Sequence, residues 1–405
     1  MVGSPPSADG LVTLSNWQDP PWSRWSFQHV GQLIPSARIS RGDGPVLDLP
    51  EEPRDVDGLP FRTVAGASST LGAQLEVSYT DGFIALHHGR IVAEQYGNGM
   101  TRGTRHLLQS VSKSLTGAFA GALTGSGALD PGGLVTDYVP ALRGTSFEGA
   151  TVRHLLDMTA GTRFSEDYED PGSDVRRYEI AAGWQPAADR LPEIDLAAYI
   201  GTLPNRSAHG EDFAYRSILT DVLAMVLEGS SGERFADAMS GLLWSRMGAE
   251  HDAEITVDRH GNAMSDGGIS VTLRDLARFG LLYLRDGNPG GPQVLPAAWV
   301  ADTRFADAAC RGIFLAAQEA ARGTGSPAQQ ACAPLGHYRN QWWVLDPGAG
   351  VMMGSGIYGQ YVYVDVARDV VLAKLSSLPR PLDPTIAADT LRAFAGLAAH
   401  LEELA

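Results

Sequence analysis

Lysine is nearly missing from this chain. Of its 405 residues, 31 are Lys or Arg, and only Lys113 and Lys374 are lysine. Positive charge is short altogether, since 47 Asp and Glu leave a formal net charge of −16 at pH 7. That balance argues against nucleic acid and anionic membranes as partners, which are held by clustered basic side chains. Cysteine is scarce too: Cys310 and Cys332 are the two present, too few for a disulfide scaffold at this length. Whether they pair is left open. No apolar run is long enough for a transmembrane helix. The N-terminal stretch has neither a basic segment nor an apolar one of the secretory kind, so a cytoplasmic protein is the expectation. There is no H-E-x-x-H and no Cys/His cluster of zinc spacing, so neither metal nor cofactor is expected. The G-x-S-x-G elbow of many serine hydrolases is absent as well.

What is present supports a folded chain. Hydrophobic residues make up 44% and charged ones 19%, a composition that builds a core and argues against disorder. Residues 1–70 are rich in Pro, Gly, Ser and Trp and read as an arm laid over a core, because tryptophans are costly to leave in water. Phe83 to Leu86 and Ile91 to Tyr96 read as a hairpin. The stretch "HLLQSVSKSLTGAFAGAL" (106–123) reads as a helix, and "TVRHLLDMTAGT" as another stopped at Gly161. Residues 160–210 look like long functional loops around short helices. Further helices are expected at "SILTDVLAMVLEGSSG", at "RFADAMSGLLWSRMG", after a Ser270 or Thr272 cap, and in the C-terminal tail. "YVYVDVARDVVLAKLSS" reads as two strands. The pattern is an α/β protein of the α+β type. A sheet domain comes from 71–125 and 255–405, with a mainly helical lobe at 126–254 inserted, and the whole forms one catalytic unit.

Ser110 and Lys113 stand at i, i+3, one turn apart on one helix face. A serine hydroxyl needs a base beside it to become a nucleophile. A lysine amine serves only when neutral, and burial pushes it that way. Arginine does not deprotonate, so this position has a reason to be lysine. Taken alone, Ser-x-x-Lys is also a pattern that chance supplies.

"SVSKSLTG" resembles the active-site helix of class C β-lactamases and their penicillin-recognising relatives. A second element of that superfamily resembles "FAYRSILTDVLAMVLE", with Tyr215, Arg216 and Ser217 before a helix. A third resembles "MGSGIYGQYVYVD", with Gly354, Ser355 and Gly356 in the Lys-Thr-Gly place. The chain is more closely similar to the 6-aminohexanoate-dimer hydrolases, the nylon-oligomer amidases of this superfamily. "WQDPPWSRWSFQHVGQLIPSARISR", "HLLQSVSKSLTG", "AAGWQ", "QWW" and "SGIYGQ" carry that likeness from about Leu14 to the C-terminal helix.

The resemblance implies a β-lactamase-like fold with an antiparallel sheet flanked by helices. It implies Ser110 as nucleophile, Lys113 as its base and Tyr215 as proton donor to the leaving group. The backbone N–H groups of Ser110 and Ile357 would form the oxyanion hole, with Gly356 keeping the strand edge open. Tyr168, Trp184 and Ser217 would line the substrate site, and Glu179 would hold a substrate's amino end. Asp266 stands where a neutral polar residue is expected, and the strand motif has Gly354 in place of a cation. The implied activity is an amidase and carboxylesterase for a small-molecule amide or ester, with a free amino group favoured. The alternatives are a carboxylesterase without nylon-oligomer activity, and a binding protein without turnover. A homodimer is compatible with the acidic surface and the N-terminal aromatics.

Overall fold

The structure, a computed structural model, describes residues 4–186, 194–322 and 336–404. Its main sheet has seven strands. From one edge they run Arg90–Tyr96, Thr80–His87, Val370–Ser376, Gln360–Asp365, Val351–Gly356, Trp342–Asp346 and His337–Arg339, each antiparallel to the next. Neighbours far apart in sequence therefore meet in the middle, where Thr80–His87 pairs with Val370–Ser376.

Both faces of this sheet are covered, which explains strands that are apolar almost throughout. Side chains alternate between faces at period two. Ile84 and Leu86 join the core under the Val111–Gly125 and Leu273–Leu284 helices, while Phe83 and Ala85 join Phe394, Leu397 and Leu401 of the C-terminal Pro384–Glu403 helix. A smaller four-stranded sheet runs Ser36–Ile39, Ala253–Thr256, Ile269–Thr272, Arg105–Leu107. Thr272 ends its strand and caps the next helix, its hydroxyl accepting the Asp275 N–H. Among the described residues no helix is long and apolar enough to cross a membrane.

The sequence expectation misplaced two helix ends. Residues 106–123 are not one helix, because Arg105–Leu107 pairs as a strand with Ser270–Thr272 and the helix starts at Val111. The Val152–Leu156 helix stops short of Gly161, because Met158 turns to φ 57°. The N-terminal tryptophans are covered by their own chain. Trp17 is fully buried, 5.0 Å from the Trp184 ring, and Trp25 stacks on His29 at 4.2 Å. Cys332 lies outside the described residues; Cys310 is buried, with its thiol donating to the Tyr338 carbonyl.

Candidate active site

Ser110 stands at the start of the Val111–Gly125 helix. Just before it Gln109 takes φ 48°, a left-handed turn that non-glycine residues seldom adopt. The turn is held on both sides: Leu107 N–H donates to Phe27 O, and Leu108 N–H to Ile269 O. Two small residues then allow close packing. A Cβ on Gly117 would lie 2.2 Å from the Asn340 carbonyl, so the helix could not sit against that turn with alanine there. A Cβ on Gly356 would lie 2.6 Å from Leu108 O and 3.0 Å from Ser110 N, so the end of the Val351–Gly356 strand touches the Ser110 turn only because it lacks a side chain.

Lys113 is buried and its Nζ has three acceptors: Ser110 Oγ at 2.9 Å, Ser217 Oγ at 3.0 Å and the Asp266 carbonyl at 2.8 Å. An ammonium has three hydrogens, so each is used. The Tyr215 ring centre lies 5.1 Å from Nζ, and its phenol faces Ser110 and Lys113. Trp343 stacks on that ring at 5.3 Å, which fixes its tilt. Arg216 turns away and donates to the Ala160 carbonyl.

Two effects act on Lys113 in opposite directions. Burial alone would drive the ammonium toward neutrality. Tyr215 and the carboxylates of Asp266 and Glu166 outweigh burial and hold the amine above its ordinary range. Burial pushes the Tyr215 phenol up, against the opposing pull of Lys113.

A cleft of about 460 Å³ opens over these groups. Ser110, Tyr215, Tyr168, Gly356 and Ile357 are on its wall, as the sequence reading placed them. Met353, Tyr361, Leu378, Leu382 and Leu391 give it apolar lining, and Asp383 is on its wall as well. Four other candidates are not on the wall. Ser217 lies behind it, bonded to Lys113. Trp184 is core: it packs on Trp17, and its Nε1 donates to Thr256 Oγ1 at 3.0 Å. Glu179 is buried, and its Oε2 is taken by Arg176 at 2.6 Å. Asp266 faces Lys113 and Tyr178.

Glu166 is the residue that sequence reasoning missed. It is half-buried on the cleft wall, which Ser110 and Tyr168 share, and its Oε1 accepts the Ser217 N–H. Burial pushes its carboxyl up, and Lys113 and Ser217 oppose that shift. The sequence signal was its place two residues before Tyr168 in "SEDYEDPGSD".

The arrangement can activate a hydroxyl, receive a carbonyl oxygen at a strand end and deliver a proton to a leaving group. Gly356→Ala tests the strand-end part. The added methyl must push the strand from the Ser110 turn, and kcat is expected to fall about 10²–10³-fold, the usual effect of losing an oxyanion donor. Steady-state ester hydrolysis measures it, and an unchanged kcat would remove Gly356 from the site.

A model of the beta-lactamase family matches residues 79–397. A 6-aminohexanoate-dimer hydrolase of Paenarthrobacter ureafaciens is 38% identical over 378 residues, covering 93% of this chain and 91% of that one. A solved Bacillus anthracis structure, provisionally described as a 6-aminohexanoate-dimer hydrolase, superposes with TM-score 0.83 at 26% identity, over 98% of this chain and 99% of that one. EstCE1, a hydrolase with promiscuous acyltransferase activity, matches with TM-score 0.59 at 17% identity, over 80% of this chain and 95% of that one, a likeness of fold alone.

Proposed function

This chain belongs to the beta-lactamase family, within its 6-aminohexanoate-dimer hydrolase group, and on that premise we propose that it is a serine amidase and esterase for linear substrates. The observation that carries the reading is the Ser110–Lys113–Tyr215 cluster under a cleft lined by Glu166 and by apolar side chains. The Ser110 proton passes to Lys113 in its neutral form as Oγ attacks the carbonyl. The developing oxyanion meets the N–H groups of Ser110 and Ile357. Tyr215 gives its phenolic proton to the leaving nitrogen or oxygen, the C–N or C–O bond breaks, and the Lys113 ammonium restores the phenol. Water then attacks the acyl-Ser110 ester by the same proton route in reverse.

The substrate follows from the cleft. Methylene chains suit Met353, Tyr361 and Leu378, and an ammonium suits Glu166. Glu179 is already committed to Arg176, and Asp266 faces Lys113 instead of the cleft. A charge-assisted hydrogen bond contributes about 1.5–3 kcal/mol, or roughly 10- to 150-fold in kcat/KM. The 6-aminohexanoate dimer is therefore expected to outperform its N-acetyl derivative by about that factor, and Glu166→Gln to shrink the gap. Equal rates for the two dimers would defeat the cationic reading. A ratio that collapses in Glu179→Gln but survives Glu166→Gln would return the amine to Glu179.

The second reading is a carboxylesterase with no amidase role. It is favoured by Gly354, which supplies no cation for a substrate carboxylate, and by the apolar side chains that line the cleft. Hydrolysis of p-nitrophenyl esters with no cleavage of the dimer would select it.

A further inference from the structure

Three buried acids behind Lys113 have no part in the steps above: Asp221, Tyr178 and Asp266. The Tyr178 hydroxyl lies 2.5 Å from Asp221 Oδ2 and 2.7 Å from Asp266 Oδ1. A phenol has one hydrogen and donates it to one acceptor. At the other contact the hydrogen must belong to the carboxyl, because an anionic oxygen that close to a bare phenol oxygen is repelled. The trio therefore carries one proton more than two carboxylates and a phenol.

The surroundings say which acid holds it. Asp266 Oδ2 is 3.7 Å from Lys113 Nζ, the distance of an ion pair. Asp221 Oδ1 accepts from Ser265 N at 2.7 Å and Asp266 N at 3.1 Å, which leaves its Oδ2 to face Tyr178. Burial first, then the charge of Asp266, push the Asp221 carboxyl well above the usual carboxylate range. The hydrogens thus run from Asp221 Oδ2 to the Tyr178 oxygen, and from Tyr178 to Asp266.

We propose that Asp221, Tyr178 and Asp266 form a one-proton unit that fixes a negative charge beside Lys113 and so sets the pH at which Lys113 can take the Ser110 proton. The proposal rests on the reading of Ser110 as nucleophile and Lys113 as base. None of the three meets a reacting atom; they are positioning residues that act through Lys113. Other ionisable groups face the cluster. Glu166 and Tyr215 also hold Lys113 charged, Tyr168 lies near Asp266, and Glu179 is occupied by Arg176.

The sign follows from linkage. Lys113 accepts a proton only when neutral, so acylation rises as pH climbs through its pKa. A carboxylate beside it raises that pKa, and an amide there does not. Asp266→Asn should therefore move the rise to lower pH.

The test is the rate at which a fluorophosphonate labels the intact chain, measured against pH. Asp266→Asn is expected to shift the midpoint down by about one pH unit or more. Tyr178→Phe should shift it the same way by less, because Asp266 loses the donor that favours its charge. Asp221→Asn should keep the wild-type midpoint, since its amide can donate to Tyr178 as the protonated acid does. A midpoint unmoved in Asp266→Asn, with rates lowered equally at every pH, would mean a structural role and overturn the proposal. So would a shift in Asp221→Asn as large as in Asp266→Asn. If Asp266→Asn fails to fold, an unmoved midpoint in Tyr178→Phe overturns it equally. Labelling that persists in Ser110→Ala overturns the nucleophile reading instead, and the two failures are told apart by that control.

Discussion

Ser110→Ala is expected to lower kcat/KM by about 10⁴-fold or more for esters and amides alike, because Ser110 is the hydroxyl bonded to Lys113 on the cleft wall and its helix neighbours are engaged elsewhere. Ser112 and Ser114 are close in sequence, but the fold employs both elsewhere. Ser112 Oγ accepts the Ile269 N–H at 3.1 Å, and Ser114 Oγ donates to the Gln341 carbonyl at 2.9 Å. Thr116 donates to the Ser112 carbonyl at 3.0 Å, with the Ser265 carbonyl 3.2 Å away. These side chains are buried, whereas Ser110 is on the cleft wall. The change removes one acceptor from Lys113 and little packing, so the fold should persist. Ester hydrolysis with mass spectrometry of the intact chain measures the effect. A variant that keeps several per cent of wild-type turnover, or that still gains an acyl mass, would remove Ser110 as nucleophile.

Lys113→Arg should lower kcat by about 10²–10⁴-fold, nearly as much as Lys113→Ala, the range expected for loss of a general base. Arginine keeps the positive charge that Asp266 and Glu166 favour but does not release a proton. Its planar fork also cannot reproduce the tetrahedral bonds of Nζ to Ser110, Ser217 and Asp266. Lys113→Ala leaves the Asp266 carboxylate without its cation, so its thermal stability should fall as well. The contrast between the two variants is informative. A near-normal kcat in Lys113→Arg would show that the lysine supplies only charge. Loss in both, with KM for short esters little changed, is the result a base requires.

Sequence alone determined the features set by short spacing. Ser110 and Lys113 share a helix face because of their i, i+3 interval, and the scarcity of lysine drew attention to the position. The hairpin of Phe83 to Leu86 with Ile91 to Tyr96 and the strands around Ala367 and Arg368 follow from short β-prone runs bounded by turns, and both pairs form antiparallel ladders. The C-terminal helix is a clean amphipathic repeat with its Asp383 cap. The family was legible because its motifs lie in order along the chain.

Tertiary structure decided what depends on residues distant in sequence. Helical periodicity continues through 106–109, but pairing of Arg105–Leu107 with Ser270–Thr272 overrides it. Trp184 reads equally well as pocket or core, and Trp17 from the N-terminal arm makes it core. Glu179 loses its carboxylate to Arg176 three residues earlier, a pairing the spacing in "RRYEI" allowed but did not require, since either partner could have faced the cleft. Glu166 reaches the cleft because its loop folds against Ser217. The charge on Lys113 was the least legible feature of all. Burial and opposite charge act on an amine with opposite sign, and which wins depends on distances to Asp266, Glu166 and Tyr215 that only the folded chain fixes.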